Sequence, residues 1–227
     1  MARLIGVFGG TFDPVHNGHL RTVLDVVEAG NPDELLLIPC HVPPHRGDPM
    51  VASRQRLRML ELAVAGEPRF RVDDRELRRD EPSYTVDTLV SLQREHPGDR
   101  FFLVLGMDSF LGLPRWHRWR ELGKLAHMVV MSRPDTATSA SGELARWLAG
   151  RQTGDWRQLR TGRAGRVLFQ EVTQLAVSAT DVRRRLANGG SARYLMPEAV
   201  WGYIQEEGLY GAVTALSEPG GVNPGEA

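Results

Sequence analysis

Two stretches of this chain gather the groups that hold anions. The first is Gly9-Gly10-Thr11-Phe12-Asp13-Pro14-Val15-His16-Asn17-Gly18-His19. It follows Leu4-Ile5-Gly6-Val7-Phe8, a continuous apolar run ended by glycines, which reads as a buried parallel strand. A glycine pair lets backbone N–H groups approach a phosphate with no side chain in the way. A helix starting just beyond would aim its unpaired amides and partial positive charge at the same place. His16 and His19, three apart at that helix entry, share a face and can donate hydrogen bonds to phosphate oxygens. Gly18 between them removes a side chain where a ligand could pack. Asn17-Gly18 alone would suggest a hairpin turn, but Leu20, Val23, Leu24 and Val27 follow at helical spacing. Two histidines could also ligate zinc, with only Asp13 and the distant His41 and His45 to complete a site. Neither G-x-G-x-x-G nor G-x-x-x-x-G-K-[ST] occurs, which sets aside a dinucleotide fingerprint and P-loop chemistry.

The second stretch is Ser178-Ala179-Thr180-Asp181-Val182-Arg183-Arg184-Arg185-Leu186. Ser178 with Asp181 three residues on makes a capping box, a structural device that opens a helix. It leaves the arginines unexplained. Three of them in the first two turns would oppose the helix dipole, a penalty that a bound polyanion would reverse. Ser178, Thr180, the free amides and Arg183 could together hold β- and γ-phosphates, while Arg184 and Arg185 are read as solvated.

Elements must position these groups. Glu34–Pro39, Phe70–Asp73, Arg100–Gly106, His127–Met131 and Val167–Phe169 read as further short strands. Helices are expected around Leu57–Val64, Thr85–Glu95, Thr180–Ala187 and Pro197–Glu206, and Gly30-Asn31-Pro32 stops the first one. Strands alternating with helices predict an α/β fold, a doubly wound parallel sheet with helices on both faces. Its ligands belong at the carboxyl ends of the strands, in the loops after Phe8, Ile38, Val72, Leu105 and Met131. Residues 134–165 carry a short helix near Leu144–Leu148 and no assigned chemistry. The reading divides the chain into one domain over 1–212, with a small C-terminal helical part at about 178–210, and a tail over 213–227 expected to be disordered.

Bulk properties narrow the classes. A chain of 227 residues with 41% hydrophobic content can bury a core without staples. Lys+Arg and Asp+Glu both number 28, so no global field draws it to nucleic acid or an anionic membrane. The single cysteine, Cys40, excludes an intrachain disulfide and a thiolate metal cage. The opening apolar run is too short for a signal peptide and none is long enough to span a bilayer, so a cytoplasmic protein is expected.

The H-x-G-H pattern after a first strand resembles the signature of the nucleotidylyltransferase superfamily, which is related in fold to class I aminoacyl-tRNA synthetases. With Pro39, Val42-Pro43-Pro44-His45-Arg46, Pro82-Ser83-Tyr84-Thr85, Gly106-Met107-Asp108-Ser109 and Trp116, the chain is similar to bacterial nicotinate-mononucleotide adenylyltransferases. The likeness runs from about Arg3 to Tyr210 and skips 134–165. It implies a Rossmann-like sheet and the joining of ATP and nicotinate mononucleotide to nicotinate adenine dinucleotide and pyrophosphate, with Mg²⁺, in NAD biosynthesis. It implies that His16, His19, Ser178, Thr180 and Arg183 contact ATP phosphates, the catalytic share falling to His16, His19 and Arg183. The backbone of Gly9, Gly10 and Thr11 would line the phosphates, Phe12 would join them in binding ATP, Asp108 would face the adenosine, and Arg133 would lie near adenine. His45 and Arg46 would sit over the reacting phosphates, and Tyr84, Thr85 and Trp116 would form the pyridine pocket. The physics of that pocket agrees, because an aromatic face attracts a pyridinium ring. No protein side chain is expected to ligate the metal directly. Arg46 stands where Lys is expected about as often, and Cys40 where Asn is frequent. No K-M-S-K-S run occurs, which argues against a tRNA synthetase.

In the mechanism this implies, the mononucleotide phosphate attacks the α-phosphorus of ATP in line. An ionised phosphate needs no general base, so catalysis rests on positioning and charge neutralisation. The rivals are a phosphopantetheine-type adenylyltransferase, an enzyme preferring nicotinamide mononucleotide, a sensor that binds ATP without turnover, and a nucleic-acid module, the last disfavoured by zero net charge.

Overall fold

The computed structural model describes residues 2–41, 49–79, 81–133 and 140–212. Among these, seven strands form one sheet in the order β3-β2-β1-β4-β5-β7-β6, every neighbouring pair parallel. The strands are β1 (Leu4–Gly10), β2 (Glu34–Pro39), β3 (Phe70–Val72), β4 (Arg100–Gly106), β5 (His127–Ser132), β6 (Gln152–Thr153) and β7 (Val167–Glu171). The α-helices are α1 (Asn17–Gly30), α2 (Ser53–Val64), α3 (Thr85–Glu95), α4 (Met107–Leu111), α5 (Trp119–Leu125), α6 (Gly142–Leu148), α7 (Arg157–Thr161), α8 (Ala179–Ala187) and α9 (Glu198–Glu206). The doubly wound α/β expectation is met.

The period of two along each strand sorts the core into two layers. Leu4 and Phe8 of β1, Leu35 and Leu37 of β2, and Phe102 and Val104 of β4 face one side. There they pack with α1, α2, α8 and α9. Ile5 and Val7, Leu36 and Ile38, and Phe101, Leu103 and Leu105 face the other, against α3, α5 and α6. Strands buried on both faces read as unbroken apolar runs, which is why β1, β2, β4 and β5 were legible.

The chain leaves β1 toward β2 and β3, then returns to place β4 on the opposite side of β1. Beyond the carboxyl ends of β1 and β4 the crossovers diverge and leave a crevice. The two glycines of the first motif end β1, and Gly106 ends β4. The topology therefore delivers the loops after β1 and β4 to one spot. Asn17 and Gly18 are the first residues of α1 rather than a hairpin, and Asn31 closes that helix in the left-handed conformation (φ 42°). No described helix is long and apolar enough to cross a membrane.

Candidate active site

A cavity of about 610 Å³ opens at the β1/β4 divergence. Gly9, Gly10 and Thr11 line it from β1, Asp108 from the start of α4, and Tyr84, Thr85 and Trp116 from the facing wall. Those seven expected residues come together. His45 and Arg46 lie outside the described residues. Arg133, after β5, is exposed, gives its Nε–H to Gln174 Oε1 at 2.7 Å, and does not line the cavity.

The histidine pair sits where β1 runs into α1. The rings of His16 and His19 stack with centroids 3.7 Å apart and planes 24° off parallel. His16 precedes the helix in extended conformation and is only 5% exposed. Burial lowers its pKa to about 4, so the ring is neutral at physiological pH. His19 Nδ1 accepts the backbone N–H of His16 at 3.3 Å. In the neutral ring that leaves the proton on Nε2, a donor. Gly18 differs from its sequence reading. A Cβ there would lie 3.0 Å from the His16 ring and 3.3 Å from the Val177 carbonyl, so the protein itself fills that space. Phe12 is also different: its ring is buried, edge-on to Phe8 and His19, and a Cβ on Gly10 would meet it at 3.0 Å. Only its backbone is left to face a phosphate.

The second motif docks on the first. Arg183 Nη1 donates to the Asp13 carbonyl at 2.6 Å, and Nη2 reaches Thr180 Oγ1 at 3.4 Å. Ser178 caps α8 as expected, its Oγ accepting Asp181 N–H at 3.1 Å and donating to the Asp181 carboxylate at 2.8 Å. The three arginines do not all oppose the helix dipole, contrary to the sequence expectation. With only nine residues in α8, Arg184 and Arg185 fall in its last turn, where cations are favourable, and Arg184 pairs with Asp181. Arg183 alone points to the first motif.

Sequence reasoning missed the residues that brace these loops. Arg56 of α2 is completely buried and donates to the Thr11 carbonyl at 2.7 Å, the His41 carbonyl at 3.3 Å and Ser53 Oγ at 2.9 Å. It thereby ties the loop after β1 to the loop after β2. Its signal was present: Arg56, Met59, Leu60 and Val64 share the helical spacing of a buried face. Asp13 is buried and accepts Met50 N–H at 2.9 Å and the Tyr210 hydroxyl at 2.8 Å. His117, beside Trp116, lines the cavity and packs its ring 4.4 Å from that of Tyr84. Glu76 and Thr88 line the same wall. The Cys40 thiol points at Thr11 Oγ1, 3.7 Å away, and burial raises its pKa, consistent with packing rather than reactivity.

The arrangement supplies backbone amides that line the crevice with an aromatic wall facing them, and an imidazole pair and a braced guanidinium in the adjoining loop after β1. A cytidylyltransferase-like family model matches residues 7–185. The chain is 51% identical to a protein named as a probable nicotinate-nucleotide adenylyltransferase in Pseudomonas entomophila (strain L48), over 92% of this chain and 96% of that one. It is 49% identical to the one of the same name in Methylococcus capsulatus (strain ATCC 33009 / NCIMB 11132 / Bath), over 91% and 99%. Its fold is similar to a Plasmodium falciparum nicotinic acid mononucleotide adenylyltransferase solved with NaAD, at a TM-score of 0.70 and 17% identity, covering 92% of this chain and 98% of that one. The chain belongs to the cytidylyltransferase-like nucleotidyltransferases and, within them, to the nicotinate-nucleotide adenylyltransferase family.

Proposed function

We propose that this chain transfers the adenylyl group of ATP to nicotinate mononucleotide, giving nicotinate adenine dinucleotide and pyrophosphate, a step of NAD biosynthesis carried out in the cytoplasm. The observation that carries this reading is the single cavity joining the β1 backbone, the start of α3 and the ring of Trp116. Tyr84 opens α3 with no side-chain cap, so the first amides of that helix remain available to a carboxylate. Trp116 and Tyr84 supply faces for the pyridinium ring.

The mononucleotide phosphate oxygen attacks the α-phosphorus in line, and pyrophosphate leaves. His19 Nε2–H donates to the charge that grows on the phosphate, and the neutral ring of His16 packs behind it. Arg183, held by Asp13, meets the departing pyrophosphate with Thr180 and Ser178, while Asp108 faces the nucleoside. The family likeness of the Pro43-Pro44-His45-Arg46 run supports a phosphate-binding role for His45 and Arg46 as well. A divalent cation, Mg²⁺, neutralises phosphate charge when bound. No group of three His, Cys, Asp or Glu side chains suited to a metal occurs among the described residues. Asp13 is already engaged, and Asp108 is a single carboxylate, a donor set that fits a cation carried by the ATP phosphates.

The test is pyrophosphate release with ATP and Mg²⁺, comparing nicotinate mononucleotide, nicotinamide mononucleotide and phosphopantetheine at matched concentration. Release with the acid mononucleotide far above the other two is expected. Release with phosphopantetheine instead would overturn the Trp116 pocket, and none with any acceptor would leave an ATP-binding sensor.

A further inference from the structure

Glu76 is the buried carboxylate of the cavity wall. It is 7% exposed, follows β3, and lines the same space as Tyr84, Trp116 and His117. Its partners are hydroxyls: Thr88 Oγ1 donates to Oε1 at 2.6 Å, and the Ser83 hydroxyl also bonds the carboxylate. A carboxylate has about four lone-pair sites, so two donors leave it half satisfied. Among the described residues no cation pairs with it. Arg79 is near enough to be felt, yet its Nη1 donates to Thr88 Oγ1 at 3.3 Å. Burial raises the Glu76 pKa, and the Asp73 charge adds to this, so the charged form is held at a cost. Buried charges are paired as a rule, and an unpaired one facing a ligand cavity calls for the ligand to bring the opposite charge.

We infer that Glu76 is the countercharge of the ligand's positively charged pyridinium ring, and that it makes this cavity select oxidised pyridinium mononucleotides over ligands of the same shape with an uncharged ring. This rests on the mononucleotide reading above. It goes further by naming the residue and the property it senses. The aromatic wall alone would attract a cation weakly, whereas a fixed carboxylate at low dielectric adds an attraction that a neutral ring cannot draw on. Thr88 and Ser83 hold the carboxylate in place from α3 and the loop before it, so its position follows the same helix whose N-terminus faces the cavity.

The probe pair is nicotinate mononucleotide and its carbon analogue, the 5′-phosphate of 3-carboxyphenyl riboside. Both carry the carboxylate and phosphate, so repulsion between the ligand carboxylate and Glu76 cancels in their ratio. In the unaltered protein, calorimetric binding is expected to favour the pyridinium by about tenfold or more. In Glu76→Gln the ratio should shrink to about threefold, the residue left by the aromatic wall, with affinity for the carbon analogue no weaker than before. Binding of a non-hydrolysable ATP analogue reports that the variant is folded. Should it fail that check, Glu76→Asp retracts the charge by one methylene and is expected to give an intermediate ratio. Equal affinity for both probes in the unaltered protein, or an unchanged ratio in the folded variant, overturns the inference. Pyrophosphate release that persists beside such a result leaves the proposed function standing. If the unaltered protein binds neither probe and releases no pyrophosphate, the proposed function and this inference fail together.

Discussion

His16 and His19 carry the same side chain in different surroundings. His19 is half-buried, and its Nδ1 accepts a backbone N–H. His19→Ala should therefore lower turnover by about 10²–10³, the usual cost of one transition-state donor, while thermal melting moves little; activity within a few-fold of the parent would remove the role. His16 is different because burial lowers its pKa to about 4. In the unfolded chain a histidine titrates near 6.5, so between those values the unfolded state binds more protons and stability falls as pH drops through the window. Denaturation midpoints from about pH 7 down to about pH 4 should fall less steeply in His16→Gln than in the parent. At this scale the sequence revealed the spacing of the pair but not their exposure. Nothing in H-x-G-H says that Gly18 is required by the ring of His16 and the carbonyl of Val177. Phe12 looked like part of the phosphate loop, yet its ring is core, packed edge-on to Phe8 and His19 on a backbone with φ 49°.

Among elements, the long apolar runs were readable and the short pieces were not. Strands β1, β2, β4 and β5 announce themselves because both faces are buried. Helices α4 and α7 have five residues each, α5 has seven, and β6 has two, too few to complete a recognisable period. Helix α8 was expected at nearly its observed length, but in a helix that short Arg184 and Arg185 belong to the last turn and not to the start. Helix α2 shows what such misreading costs, since Arg56 sits on its buried face and braces two loops. Arg56→Met fills much of the same volume but leaves the Thr11 and His41 carbonyls without their donor. It should destabilise the fold by about 2–4 kcal/mol in urea titration and raise the KM for both substrates. A variant with parental stability and KM would show that the loops stand without this brace.

At the scale of the whole molecule, Asp13 joins parts of the chain that are far apart in sequence. Its carbonyl holds Arg183, its carboxylate takes the hydroxyl of Tyr210, and Asn17 N–H donates to the Leu195 carbonyl at 2.8 Å. Burial beside Asp13 pushes the Tyr210 pKa up, so that phenol stays protonated and remains a donor at any physiological pH. Tyr210→Phe removes the donor and leaves a buried carboxylate oxygen unpaired. The expected loss is about 1–3 kcal/mol of stability, with a lower kcat through the displaced loop, read by melting and steady-state turnover. Alternating strands and helices foretold a parallel sheet, yet they could not foretell that residues 178–210 would be the seat of the first loop. The contacts responsible are single polar pairs, and sequence periodicity reports only repeated ones.

The union of Asp13 with Tyr210 also sets an order in time. The phosphate loop leaves the ribosome well before the groups that seat it are made. Contacts this distant in sequence close late, because their loop entropy must be met before they contribute. A nascent chain would thus carry a finished sheet and an unfinished site. Chains stalled at increasing lengths should stay open to protease cleavage near Asp13 until Tyr210 has emerged, then become resistant; protection of shorter chains would show that the loop seats itself.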